Sequence, residues 1–106
     1  MLALSVLISF QATAAQVWST PSTISLIETV GSDGGFIIYL SQLPPSCNAA
    51  GPNSLYIYPN HNSVTTDGVK MLMTTAFLAF STGKKVSMMY DDSSAYCWGV
   101  YMVIQQ

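Results

Sequence analysis

Few residues of this chain have the side chains and spacing that acid–base or nucleophilic catalysis requires. His61 is the only histidine, and it lies in a polar turn, Asn60-His61-Asn62, with no carboxylate nearby in sequence. Catalytic triads assemble in space, so sequence spacing alone does not exclude one, but the glycine pattern of a nucleophile elbow is absent. We interpret His61 as a surface turn residue and expect no catalytic residue.

The acidic turn and the glycine-rich turn do not have the composition of metal or phosphate sites. The run Asp91-Asp92-Ser93-Ser94 offers two carboxylates and two hydroxyls, whereas calcium needs six or more oxygen ligands. The glycine-rich run 31–35 joins two strand-like segments, and no helix follows it as in a phosphate-binding loop. We expect both runs to be hairpin turns, and we expect no metal or cofactor.

Aromatic side chains are the strongest candidates for ligand contacts. The chain has six tyrosines and two tryptophans, and aromatic faces stack on sugar rings and on bases. The net charge is −2 and arginine is absent, which argues against nucleic acid and favours a sugar. Packing in the core or in an interface is the alternative role. We expect Tyr56, Tyr58, Tyr90 and Tyr96 to bind a ligand and Trp98, beside a cysteine, to be packed.

The first fifteen residues have the pattern of a signal peptide. The apolar stretch 1–10 is followed by Ala12-Thr13-Ala14, a small-x-small cleavage pattern. The stretch is shorter than the ~20 apolar residues that span a bilayer, and no Lys or Arg precedes it. We predict a signal peptide at 1–15, a mature domain at 16–106 without a membrane span, and a secreted or periplasmic location. A buried first strand is the alternative.

The two cysteines of an exported chain are expected to form a disulfide. A mature domain of this size has a limited core and benefits from a covalent link. Cys47 and Cys97 are too far apart for a CxxC redox motif, and with one histidine they lack a fourth zinc ligand. Closing this loop contributes ~4 kcal/mol in the chain-entropy model. We predict a Cys47–Cys97 disulfide across the helix described below.

Five segments have the composition and periodicity of strands. They are 24–30, 36–40, 54–58, 86–90 and 100–104. The first two flank the glycine-rich turn and predict a hairpin. In 54–58, Leu55 and Ile57 alternate with the two tyrosines. The segment 36–40 is apolar on both faces, so we expect a core on one side and a helix or a neighbouring subunit on the other.

One helix is predicted between the third and fourth strands. Thr65 or Thr66 can cap it, Asp67 suits its first turn, and Gly83 can end it. The apolar positions with helical spacing are expected to face the core; they are Val69, Leu72, Met73, Ala76 and Phe80. The opposite side is uncharged, which predicts an oligomer interface. We place Met71, Thr75 and Leu78 in that interface.

The predicted element order is β-β-β-α-β-β, in a chain that is mostly β with one helix. A five-stranded barrel with a helix between strands three and four has the order of an OB-fold. We therefore expect an OB-like five-stranded barrel. The alternative is an α+β sheet with one helix on a face.

The segment 71–86, which reads MLMTTAFLAFSTGKKV, resembles the helix and following strand of the B subunits of subtilase-cytotoxin-type toxins. Those subunits have an aromatic-rich helix that ends in Ser-Thr-Gly before a strand. Small exported proteins of Gram-negative bacteria share this layout, with cysteines near the positions of Cys47 and Cys97. The resemblance implies an OB-like fold, a ring-shaped homopentamer and glycan binding. It carries no sugar-contacting residue onto this chain.

Together these features predict a function in binding rather than in catalysis. We expect a non-enzymatic exported module, like a toxin B subunit, that recognises a glycan and forms an oligomer. The first alternative is a structural or inhibitory partner of another exported protein, which needs only an apolar patch. The second alternative is a small hydrolase.

Overall fold

The computed structural model describes residues 16–106, so the predicted signal peptide at 1–15 lies outside the described residues. The elements in chain order are β1 (Gln16–Trp18), β2 (Ser22–Val30), β3 (Gly35–Leu40), β4 (Ser54–Ile57), α1 (Thr66–Thr82), β5 (Lys85–Asp91) and β6 (Trp98–Ile104). From β2 onwards this is the predicted order of elements, and the predicted class, mostly β with one helix, is confirmed.

The strands form one curled antiparallel sheet. Its order is β1-β5-β2-β3-β4, and β6 pairs with β5. The start of β5 pairs with β2 through Val86 and Ser22, and its end pairs with β1 through Asp91 and Gln16. The sheet curls so far that β4 meets the segment leading into β6, where the Tyr56 backbone N–H donates to the Tyr96 carbonyl at 3.1 Å.

The short strand β1 is absent from the prediction, which placed the first strand at 24–30. Three residues with one apolar side chain between glutamine and tryptophan carry little strand signal of their own. The strand forms because its backbone pairs with Met89–Asp91 of β5. Tertiary pairing therefore decides this element, not local propensity.

The core lies between the concave face of the sheet and α1. Its buried side chains come from β2, β3, β4, α1, β5 and the loops and include both cysteines, and partly buried side chains of β6 pack against them. The largest of them that are fully buried, apart from the cysteines, are Phe36, Ile38, Leu40, Leu55, Ile57, Val86 and Met88. Their alternation along β3 and β4 leaves the remaining side chains of these strands on the opposite face.

The helix begins and ends as predicted. The Thr65 hydroxyl accepts a hydrogen bond from the Gly68 backbone N–H at 2.9 Å, and Gly83 ends the helix with φ 69°. The helix is not long and apolar enough to cross a membrane.

The core-facing side of the helix differs from the prediction at one residue. Val69 and Ala76 are buried as expected, but Phe80 is 46% exposed and Ala79 is buried instead. The small side chains of Ala76 and Ala79 let the helix lie close to the sheet along their line, and the larger Phe80 ring is turned to the side.

The predicted disulfide is confirmed. Cys47 and Cys97 are bonded at a sequence separation of 50, and both are fully buried. Cys47 lies in the loop after β3 and Cys97 directly precedes β6, so the bond links the two sides of the segment that contains β4, α1 and β5.

Replacing both cysteines with serine should lower the free energy of unfolding by about 2–5 kcal/mol, because the cross-link no longer restricts the unfolded chain. Guanidinium denaturation of the oxidised protein and of the Cys47→Ser/Cys97→Ser variant measures this difference. Reducing agent should lower the Tm of the parent protein and leave that of the variant unchanged. A parent Tm that does not respond to complete reduction contradicts the structural role of the bond.

Candidate ligand-binding site

The convex face of the sheet is lined by side chains from three adjacent strands. Glu28 of β2 pairs with Ile37 of β3, and Ile37 pairs with Tyr56 of β4. Directly paired residues point to the same face of a sheet. Ile37 is only 6% exposed, although it is not part of the core between sheet and helix. The second cover that β3 was expected to need is therefore supplied by neighbouring side chains of its own sheet.

Five aromatic rings gather on this face. We call the group Tyr56, Tyr58, His61, Tyr96 and Trp98 the aromatic platform. The Tyr56 ring stacks on Tyr58 with centroids 5.6 Å apart, and it meets Tyr96 edge-on at 5.0 Å. Both distances lie in the range where aromatic pairs attract each other. Rings from β4, the following turn and the entry to β6 thus form one continuous surface.

Trp98 is the support of the platform. His61 stacks on its indole at a centroid distance of 3.6 Å and an interplanar angle of 6°, and Tyr96 stacks on it at 4.9 Å and 14°. Tyr56 and Tyr58 meet Trp98 edge-on at 5.7 and 5.9 Å. Trp98 is half-buried, whereas Tyr96 is 45% exposed. The ring most open to a ligand is therefore that of Tyr96.

The disulfide places two rings of the platform. Cys97 lies between Tyr96 and Trp98 in sequence and has a positive φ of 48°, a conformation that is uncommon for a residue other than glycine. The bond to Cys47 fixes this residue, and the Tyr96 carbonyl accepts a hydrogen bond from the Tyr56 backbone N–H. The backbone reversal at Cys97 therefore brings Tyr96 and Trp98 beside Tyr56.

The turn before β6 is also tied to the loop after β3. The Ala95 carbonyl accepts hydrogen bonds from the backbone N–H groups of Asn48 and Ala49, both at 3.2 Å. The Cys97 N–H donates to the Ser94 carbonyl at 3.3 Å within the turn. Two backbone hydrogen bonds therefore tie the turn to the loop, as the disulfide also does, and the third closes the turn itself.

His61 is held over Trp98 by a tight turn. The Asn60 N–H donates to the Val64 carbonyl at 2.8 Å, and the Val64 N–H donates to the His61 carbonyl at 3.1 Å. Asn60 and Asn62 both have positive φ, which asparagine tolerates better than most residues. Among the described residues, the His61 ring makes no hydrogen bond to a carboxylate or hydroxyl, and its structural contact is the stack on Trp98.

A buried carboxylate anchors this turn to the sheet. The Asn62 side-chain amide donates to Asp91 Oδ2 at 3.0 Å, and the Ser93 backbone N–H donates to Asp91 Oδ1 at 2.8 Å. Burial acts to raise the pKa of Asp91, but the hydrogen bonds from Ser93 and Asn62 outweigh it and hold that pKa below its usual range. Asp91 is therefore ionised at neutral pH and serves as a hydrogen-bond acceptor for the turn.

A glycine makes room for Tyr58. A Cβ placed on Gly35 would lie 2.5 Å from two carbons of the Tyr58 ring, far inside van der Waals contact. The Tyr58 ring therefore lies directly over the backbone of β3. This close approach explains why Gly35 begins the strand, although its sequence context indicated only a turn.

Burial raises the pKa of the Tyr56 and Tyr58 hydroxyls above the usual value. The negative charge of Glu28 acts in the same direction on Tyr56, and that of Asp33 on Tyr58. Both hydroxyls are therefore protonated at neutral pH and can donate and accept hydrogen bonds. A surface of flat rings with hydroxyl groups at the edge suits the stacking and hydrogen bonding of a polar ring-shaped ligand.

The structure brings together three of the four predicted ligand residues. Tyr56, Tyr58 and Tyr96 belong to the platform. Tyr90 is located elsewhere, since it is 3% exposed in the core and borders a separate groove beside Trp18. Sequence reasoning did not assign Trp98 and His61 to a site, because their partners are distant in sequence. The sequence did contain one indication of the site: Trp98 lies two positions after Tyr96, and both residues lie at the start of the last strand.

The predicted interface residues lie on the outer side of the helix. Met71 and Leu78 are exposed, and Thr75 is half-buried. Met71 and Thr75 border a groove of about 420 Å³ between α1 and β6, with Tyr101 on its opposite wall. The exposed Trp18 ring meets Tyr101 edge-on at 5.7 Å. The groove therefore continues into an apolar surface formed by α1, β6 and β1.

Within residues 16–106, no group of three or more His, Cys, Asp and Glu side chains is placed to hold a metal ion. The chain matches no protein-family model and no curated protein sequence. The aromatic platform and the apolar surface are therefore the features of the molecule that bear on its function.

Changing Gly35 to alanine should displace the Tyr58 ring, because the added Cβ and the ring cannot both occupy the space over β3. The expected cost is about 1–3 kcal/mol in the free energy of unfolding, with a changed near-ultraviolet circular dichroism spectrum. Gly31→Ala is the matched control, since no atom lies within 4 Å of its added Cβ. Equal behaviour of the two variants in denaturation and in the spectrum contradicts the proposed packing.

Proposed function

We propose that this protein is an exported, non-enzymatic binding module with an OB-like fold, and that its aromatic platform recognises a glycan. The observation that carries the proposal is that Tyr96 and His61 both stack on the Trp98 ring. The three rings are nearly parallel, and Tyr96 is 45% exposed. They present a rigid flat face of the kind that packs against a sugar ring.

The backbone around the platform supports binding without large rearrangement. The disulfide, the turn at Cys97 and the Asn62–Asp91 hydrogen bond fix the rings before a ligand arrives. Preorganised side chains lose little conformational entropy on binding, so more of the contact energy appears as affinity. A disulfide also suits a secreted or periplasmic location.

The OB-like barrel and the toxin-like assembly are supported by three features. They are the curled antiparallel sheet, the position of α1 between the third and fourth long strands, and the resemblance of segment 71–86 to subtilase-cytotoxin-type B subunits. We extend the proposal to a homopentamer of bacterial origin in which α1 faces a neighbouring copy. The exposed Met71 and Leu78 and the groove beside Tyr101 support a protein contact there. A structural or inhibitory partner of another exported protein would use the same surface.

Glycan binding should depend on the open ring of the platform. Tyr96→Ala should weaken binding of any glycan identified on an array by about tenfold or more, which corresponds to about 1.4 kcal/mol. The matched control is Phe77→Ala, which removes an aromatic ring that is 46% exposed and lies outside both the platform and the groove beside Tyr101. Titration calorimetry measures both. An array without hits, or equal losses in the two variants, contradicts the proposal.

Assembly should depend on the apolar side of α1. The protein at tens of micromolar should show about five times the mass of one chain in light scattering, and Leu78→Asp should reduce it to a monomer, because a buried charge without a partner is costly. Ser41→Asp adds the same charge at an exposed position away from α1 and should leave the mass unchanged. A monomeric parent protein overturns the assembly without affecting the glycan site.

A further inference from the structure

The charges around the aromatic platform indicate what kind of glycan it accepts. Glu28 lies in the same cross-strand row as Tyr56, with Ile37 between them. The backbones of Glu28 and Tyr56 are two strand spacings apart, a distance of about 10 Å. A glutamate and a tyrosine side chain together can bridge this distance. Glu28 is exposed, and its carboxylate lies within hydrogen-bond reach of the Tyr39 hydroxyl, on the same face of the sheet, and acts through its charge on Tyr56.

A second carboxylate borders the platform at Tyr58. Asp33 lies in the turn between β2 and β3, directly before Gly34 and Gly35, and Gly35 supports the Tyr58 ring. Asp33 is exposed and close enough for its charge to act on the Tyr58 hydroxyl. The convex face therefore carries negative charge beside two of its rings.

The three lysines of the chain lie on other elements. Lys70 lines a groove between α1 and the β2–β3 turn. Lys84 and Lys85 follow the end of α1, and Lys85 pairs with Thr23, five residues along β2 from Glu28 and thus about 17 Å away. Arginine is absent from the sequence. Lys70 therefore lies near the turn that carries Asp33, on the α1 side of that turn, whereas Lys84 and Lys85 lie away from Glu28.

We propose that the platform selects glycans that carry a free ammonium group, that is, amino sugars without an N-acetyl group, and disfavours acidic sugars; this rests on the proposed glycan-binding function. An ammonium group is attracted by the faces of tyrosine and tryptophan rings and by the carboxylates of Glu28 and Asp33. A carboxylate or sulfate on the sugar meets repulsion from the same two residues. Both carboxylates are exposed and screened by salt, so the preference is moderate.

The test compares three tetrasaccharides of matched size by titration calorimetry at pH 6 and low salt: tetra-glucosamine, its N-acetylated form, and tetra-galacturonic acid. Tetra-glucosamine should bind at least about fivefold more tightly than the N-acetylated form, and the acidic sugar should bind most weakly. The difference should shrink in 0.5 M salt because screening shortens the reach of the carboxylates.

The variant Glu28→Gln should reduce the preference for tetra-glucosamine severalfold and leave binding of the N-acetylated form unchanged. Asp67→Asn, which removes the same charge from the first turn of α1, should retain the parent preference. If the neutral or the acidic tetrasaccharide binds as tightly as tetra-glucosamine, in a manner abolished by Tyr96→Ala, the charge selection is wrong and the glycan site stands. If none of the three sugars binds and an array shows no hits, both proposals are overturned.

Discussion

The reversal of the chain at Cys97 is the constraint on which the aromatic platform depends. A cysteine with positive φ is held by a buried disulfide and by backbone bonds from Ala95 and Tyr96 to two other segments. The same short turn closes the gap between β4 and β6 and sets the rings of Tyr96 and Trp98. One covalent bond therefore links the curl of the sheet to the geometry of its convex face. Fold stability and ring placement cannot be separated at this point.

Local signals were sufficient for most of the elements. The alternation of Leu55 and Ile57 with the tyrosines fixes which face of β4 is buried, because strand side chains alternate strictly. Thr65 and Gly83 have the chemistry that helix ends require. The sequence does not determine β1 or the exposure of Phe80, since the first depends on an edge offered by β5 and the second on how closely Ala79 approaches the sheet. Both are decided by tertiary contacts.

The candidate site was predictable only in part, for the same reason. Tyr56 of β4 and Tyr58 directly after it are identifiable from periodicity, and Tyr96 only from its residue type. The grouping of Trp98 with His61 depends on a turn with several positive φ values and on the anchoring of Asn62 by Asp91. No pattern within one segment contains that information. Tyr90 shows the converse, because its aromatic side chain alone made it a candidate ligand residue, while its strand register directs the ring inward.

The two exposed surfaces of the molecule differ in the groups that surround their apolar area. The platform combines rings with protonated hydroxyls and the nearby carboxylates of Glu28 and Asp33, so a ligand there can satisfy hydrogen bonds while it stacks. The surface of α1 and β6 presents the apolar side chains of Met71, Leu78 and Tyr101, and within residues 16–106 no charged residue lines its groove, so removing this surface from water is favourable. A small polar ligand suits the first surface and a protein suits the second. A chain with 8% charged residues thus has two exposed surfaces of different chemistry.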